Sequence, residues 1–296
     1  FGLGNLCPLT CHRLKIFMKY MFSIFFLFFG KTLFSQQGLL QNVWIGEGTY
    51  YLSIDSQYII LEDRKDGNRF QPYKSVYYFY ETVKDTLVLY RDDIKESSSK
   101  IILFKFLIKK SNSKQLSLEK LFVKFYRSQF SHFNNIYWED SLKLFNFNSQ
   151  QNLYTDTIKF EKIKFSASKC YGFCPDMKFE ICNDKSIKFW GGNRSLKTGY
   201  FKGKLSDSLY NELMFLLKIS DLDRTANANN FNVDAPYYAI EVHYNNKYNF
   251  MHTSFLPLIY KELEKYLLDL YKKMEFESTE KFEIEFAQKL KSNGFI

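Results

Sequence analysis

Cys170-Tyr171-Gly172-Phe173-Cys174-Pro175 is the stretch on which the reading of this chain turns. In an extended strand, residues four apart are separated by roughly 13 Å at about 3.3 Å per residue. A disulfide tolerates only ~4.4–6.8 Å between Cα atoms, so a bond between Cys170 and Cys174 demands a turn. Gly172 offers backbone freedom and Pro175 stiffens the exit. Closing so small a ring removes about 2 kcal/mol of unfolded-chain entropy. Upstream, Ile158, Phe160, Ile163 and Phe165 alternate with Lys and Glu, with one slip of the two-residue period, as a bulged strand would. Downstream, Met177, Phe179 and Ile181 alternate with Lys178, Glu180 and Cys182. Asn183-Asp184-Lys185 then turns the chain into residues 186–190, so a β-hairpin leaves the cysteine corner.

Other chemistries for these cysteines are weaker. A redox dithiol usually places two residues between its cysteines at a helix start, whereas three precede a strand here. A zinc site needs further ligands, and the best on offer are Cys182, His243 and His252. Cys182 leaves an odd number of cysteines after the N-terminal segment, free or as an alternative partner in the bridge.

Continuing from the corner, Ser206 caps a helix whose Leu209, Leu213, Leu216 and Leu217 share a face, with Leu205 and Tyr210 placed as a hydrophobic staple. A long polar segment follows to Pro236. Its Asp221, Asp223 and Asp234 form the candidate binding loop, read as solvated acids in preference to a calcium site because the spacing matches no EF-hand. Tyr238, Ile240, Val242 and Tyr244 alternate as a strand, Asn245-Asn246 turns it, and residues 247–252 return. Depending on register, Glu241, His243 and His252 share one face, a weak metal or acid–base constellation. A second helix opens near Pro257 with Ile259, Leu263, Tyr266, Leu267 and Leu270 on one side. Residues 274–296 place Phe282, Phe286 and Leu290 at helical spacing, and a peripheral helix is expected.

The run Ser168-Lys169-Cys170-Tyr171-Gly172-Phe173-Cys174-Pro175, then a hairpin, Gly191, a helix and a later Asp-x-Pro, resembles an uncharacterised exported bacterial domain family marked by Cys-Phe/Tyr-Gly-x-Cys-Pro. The resemblance spans about residues 158–273. The chain departs from it with Asn183-Asp184-Lys185 in place of a Gly-Asp-Gly hairpin tip and with the added Cys182. It implies architecture and compartment, but no reaction.

Ahead of this unit, residues 36–157 carry short alternating runs at 49–54, 58–62, 75–82, 86–90, 100–108, 115–118 and 120–126, separated by turn signals. Trp44-Ile45-Gly46 before the first run and Asp85-Thr86-Leu87-Val88-Leu89 later make residues 37–127 similar to lipocalin-like β-domains, with Trp44 as a core plug. Residues 130–154, with His132, Phe145, Asn146, Phe147 and Asn148, read as a loop-rich seam. The fold expected is α+β: an N-terminal antiparallel β sandwich or small barrel, then a smaller α+β domain with β-hairpins and two covering helices.

Met18-Lys19-Tyr20-Met21 followed by an apolar run to Phe29 and by Ser35-Gln36 reads as a signal peptide, cleaved near Ser35, in residues 1–35. The run is too short to cross a bilayer, and retention as an anchor is the alternative. Cys7 and Cys11 lie upstream of that start. Without this segment, 37 basic face 32 acidic side chains, interleaved and with no arginine-rich run. A nucleic-acid groove is therefore not expected. No nucleophile elbow, HExxH helix or phosphate loop is present. The function expected is an exported, non-catalytic binding or envelope-associated module without a cofactor, its partner a small apolar ligand or an envelope protein. The alternatives are a metal-dependent hydrolase using the 221–252 region and a thiol–disulfide protein using Cys170 and Cys174.

Overall fold

Alternating bulky and polar residues favour pleated strands with one face buried, and such strands are the dominant element among the described residues. The computed structural model describes residues 42–46, 50–63, 74–92, 100–123, 143–223, 231–232 and 234–290. The signal-like segment, Cys7, Cys11, His132 and residues 224–230 of the polar loop lie outside them.

Eight strands form a closed barrel: β1 (Asn42–Gly46), β2 (Tyr50–Ile54), β3 (Tyr58–Asp63), β4 (Lys74–Val83), β5 (Thr86–Asp92), β6 (Lys100–Ser111), β7 (Gln115–Val123) and β8 (Leu144–Ser149). All neighbours are antiparallel, and closure comes from β1 pairing with β8, where Trp44 stands opposite Ser149. One side of each strand turns inward. Trp44, Leu52, Ile59, Tyr78, Leu87 and Phe106 are buried in a single cluster there. Own side chains thus fill the interior, as the geometry of small barrels favours. Two register shifts between β6 and β7 mark bulges that bend the long β6 around the barrel.

A second, seven-stranded sheet has the order β14-β13-β9-β10-β11-β12-β15. Its strands are β9 (Phe160–Ala167), β10 (Met177–Cys182), β11 (Ser186–Gly191), β12 (Gly199–Lys204), β13 (Tyr238–Tyr244), β14 (Lys247–Thr253) and β15 (Glu277–Ser278). Ile163, Phe165, Phe179, Ile187, Phe189 and Val242 line one face and are buried. Two helices cover it, α1 (Asp207–Lys218) and α2 (Lys261–Leu270). The Ser206 hydroxyl accepts from the Leu209 N–H and caps α1. Pro257 opens a single 3-10 turn, Leu258–Tyr260, that feeds α2.

The expected α+β class is corrected: the fold is predominantly β. Among the described residues, α-helix is confined to two elements of 12 and 10 residues. Strands are added where none was expected, at β1, β8, β12 and β15. In β8 the alternation Phe145, Asn146, Phe147, Asn148 reads as turn chemistry because asparagine favours turns. Paired with β7, it becomes an edge-to-edge closure in which Phe147 is buried and Asn146 accepts from the Ser117 hydroxyl.

The barrel and the sheet share a core. Tyr51 and Ile60 face away from the barrel interior and are buried in the hydrophobic cluster of the sheet unit. On the same outer stripe, buried Glu62 accepts from the Leu258 N–H at 2.9 Å. The buried Gln150 amide donates to the carbonyls of Ile219 (3.1 Å) and Ile259 (2.7 Å). Buried polar groups satisfied across a seam make separation costly, because each would be left unpaired.

The tail has no helix over residues 279–290 and bends at residues 287–288. Phe282, Ile284 and Phe286 are half-buried and alternate with exposed Lys281, Glu283 and Glu285, a period of two that the spacing of Phe282 and Phe286 alone conceals. The tail crosses the second, polar face of the sheet, with Phe282 on Tyr200 of β12 and Phe286 on Phe250 of β14. Among the described residues no helix is long and apolar enough to cross a membrane.

Candidate functional site at the cysteine corner

The pairings place Ala167, Met177, Gly191, Gly199, Tyr238 and Thr253 side by side at one end of the sheet. The connections that leave this end carry the cysteine corner. A disulfide joins Cys170 and Cys174, with Cα atoms 5.5 Å apart. Cys182 is free and half-buried on β10, and burial pushes its thiol pKa up, which disfavours the reactive thiolate. Gly172 does not supply a left-handed turn: among the described glycines that conformation belongs to Gly199, at φ 121°. A Cβ at Gly172 would meet the Cys170 Sγ at an ordinary 3.7 Å.

Arg194, from the loop after β11, fixes the ring. Its guanidinium donates to the carbonyls of Cys170 (2.7 Å) and Gly172 (2.6 Å). That loop is held in turn by Asp176, whose carbonyl accepts from the Gly192 N–H (2.8 Å) and the Ser195 hydroxyl (3.1 Å). Two adjacent glycines permit this approach. A Cβ on Gly191 would lie 1.8 Å from the Lys197 carbonyl oxygen, and one on Gly192 would lie 2.5 Å from the Asp176 carboxylate. The Asp176 carboxyl is raised by burial, against the pull of Lys169, Lys178 and Arg194.

On this braced ring the apolar side chains point outward. Phe173 is 105 % exposed, Tyr171 82 % and Leu196, two residues from Arg194, 77 %. Large apolar groups held in water on a braced frame make this corner the candidate interaction surface. Sequence reasoning singled out the ring but missed Arg194, Asp176 and Leu196. The only local signal was the Gly191-Gly192 doublet at a strand end, which marks close backbone approach.

The other expected residues are dispersed. Asp223 stands at the opposite end of the sheet, where its carboxylate accepts from Lys247 Nζ (2.5 Å) and the Tyr244 hydroxyl (2.7 Å) and is held below the usual range, by Lys247 first. Asp221 adjoins it with a left-handed backbone, φ 48°. Asp234 lies at the corner end, beside the Asn232 N–H that donates to Ser254. Along β13 the two ends are about 20 Å apart, so the three acids do not converge.

Register does put Glu241, His243 and His252 on one face, with Ala239 opposite His252 and Glu241 opposite Phe250. Glu241 is 0 % exposed and already engaged: Lys164 Nζ lies at 2.7 Å, His243 Nε2 at 2.6 Å, and the tail's Ala287 N–H donates at 2.5 Å. Burial works to raise its pKa, but these bonds outweigh it and hold the carboxyl below its ordinary value. Lys164 also donates to the Glu285 carbonyl, so the pair grips the tail backbone from both sides. His252 instead sits among Phe231, Tyr237 and Phe250. Among the described residues no group of three His, Cys, Asp or Glu side chains is placed to hold a metal ion.

Fold and site together define a β-rich protein in which a filled barrel is fused to a sheet bearing a disulfide-braced aromatic corner. A family model described as a domain of unknown function (DUF6438) matches residues 161–277, which include both ring cysteines and the Arg194 loop. No curated protein matches the chain.

Proposed function

We propose that the protein is an exported, non-catalytic binding module that docks on a component of the cell envelope through the cysteine corner. The observation that carries this reading is the outward presentation of Tyr171 and Phe173 on a ring fixed twice, by the disulfide and by Arg194. Aromatic side chains dominate the energetics of contact surfaces, and a contact loop ordered beforehand loses little entropy on binding. The disulfide is compatible with export, because such bonds persist in oxidising compartments. The resemblance to exported Cys-Phe/Tyr-Gly-x-Cys-Pro domains supports the same compartment.

The test is fractionation of cells producing the exported protein with either the native corner or Tyr171→Ser and Phe173→Ser together. Both side chains are exposed, so the double variant should melt with the native protein. It is expected to move from the envelope pellet to the soluble fraction. An unchanged distribution at an unchanged melting temperature would sink the reading.

A further inference from the structure

We infer that the partner met by the cysteine corner is the surface of an anionic phospholipid bilayer, an inference that rests on the docking role proposed above. Three features of the corner point to lipid. The first is its shape: Phe173 is exposed beyond its reference value and Tyr171 and Leu196 nearly as much, which describes a protruding tip and not a groove. A tip can enter an interface, where aromatic residues favour the headgroup level, without needing a complementary pocket.

The second is hydrogen bonding. Backbone carbonyls are costly in a low-dielectric layer unless they are satisfied within the protein. Those of Cys170 and Gly172 already accept from Arg194, so the ring brings two fewer orphan acceptors to the interface. A sugar or peptide partner would instead be recognised through such acceptors.

The third is charge. Lys169, Lys178 and Arg194 surround the base of the ring within electrostatic reach of one carboxylate, Asp176. Asp176 is half-buried under Gly192, whereas Arg194 is exposed. Among the described residues, the exposed acids toward this end of the sheet are Asp234, near Ser254, and Glu280, beside Thr279 on Tyr200. The ring itself thus has three basic side chains at its base, and each basic residue near an anionic surface adds to the attraction.

The experiment is co-sedimentation of the full chain with vesicles of phosphatidylcholine alone or with about 30 % phosphatidylglycerol, at low and physiological salt. Binding is expected to the mixed vesicles, at least about fivefold stronger than to the neutral ones, and to fall with salt. The Tyr171→Ser, Phe173→Ser double variant is expected to lose about tenfold or more, and Lys169→Gln a smaller share. Absence of binding to anionic vesicles, or equal binding by the double variant, would overturn the inference. If the native protein ignores vesicles while the double variant is still released from the envelope, the lipid assignment falls and the docking role stands. If neither assay responds to the corner, both fall.

Discussion

Replacing Glu264 by glutamine tests how far burial controls the energetics of the sheet core. Glu264 lies on α2, bonded to the Tyr238 hydroxyl and within the field of Lys261. Burial outweighs both and lifts its carboxyl from 4.5 to about 7. A group whose folded pKa exceeds its unfolded one holds its proton more tightly in the folded state, so its stabilising contribution is complete below the unfolded value and is lost as pH rises through the folded value. Here the window runs from about pH 4.5 to somewhat above 7. At about 1.4 kcal/mol for each tenfold change in proton affinity, the loss across it is on the order of 3 kcal/mol. Glutamine keeps the shape and carries no titrating proton. E264Q is therefore expected to gain on the native protein by roughly that amount at pH 8 and by little at pH 5. The assay is urea unfolding at intervals between those pH values, with the difference between the two proteins cancelling every other titrating group. Glu241, held low, loses its contribution only on acidification below this window. Parallel pH profiles for E264Q and the native protein would refute the argument from burial.

Gly191→Ala is expected to cost at least about 2 kcal/mol, because its Cβ would collide with backbone and not with a yielding side chain. A melting temperature within a degree or two of native would contradict the close approach described for the 192–198 loop. Changing Cys170 and Cys174 together to serine removes a short ring closure worth about 2 kcal/mol; denaturant midpoints measure it, and no change would show that Arg194 alone holds the corner. Deleting residues 279–296 strips the half-buried Phe282, Ile284, Phe286 and Leu290 and the Ala287 donor from Glu241. A loss of about 2–4 kcal/mol and faster amide exchange in β9 and β13 are expected, and native exchange in those strands would argue that the tail contributes nothing.

Much of the architecture was legible because its signals are local. Strands β2 to β6, the hairpins β10–β11 and β13–β14 and both helices follow from alternation, caps and turn residues within a short window. Asn245 and Asn246, both with positive φ, form the two-residue turn their identity suggests. At the other hairpin, Lys185 adopts φ 71° where glycine would be easier, and its ammonium reaches Asp207 at 2.8 Å. What stayed hidden depends on partners far away in the chain. Barrel closure needs β8 to meet β1 across 107 residues, as in the bond from Asn42 to Ser149. The tail's path is decided by Lys164 and Glu241, whose side of the sheet is set by register. For the candidate site, the ring was visible and its frame was not. Arg194 reads as an ordinary loop cation until folding lays it across two carbonyls. The loop acids made the opposite case, adjacent in sequence reading and parted by the length of a strand.

Shared burial of Tyr51 and Ile60 has a consequence for how this chain can be divided. The matching family model runs from residue 161 to 277, but the physical unit does not respect those limits. A fragment cut there would leave behind the barrel tyrosine and isoleucine that complete its core, the Gln150 amide that ties Ile219 to Ile259, and the strap that seals Glu241. The matched stretch is thus smaller than the unit whose core is shared, and the barrel serves its neighbour as a wall as much as it stands alone.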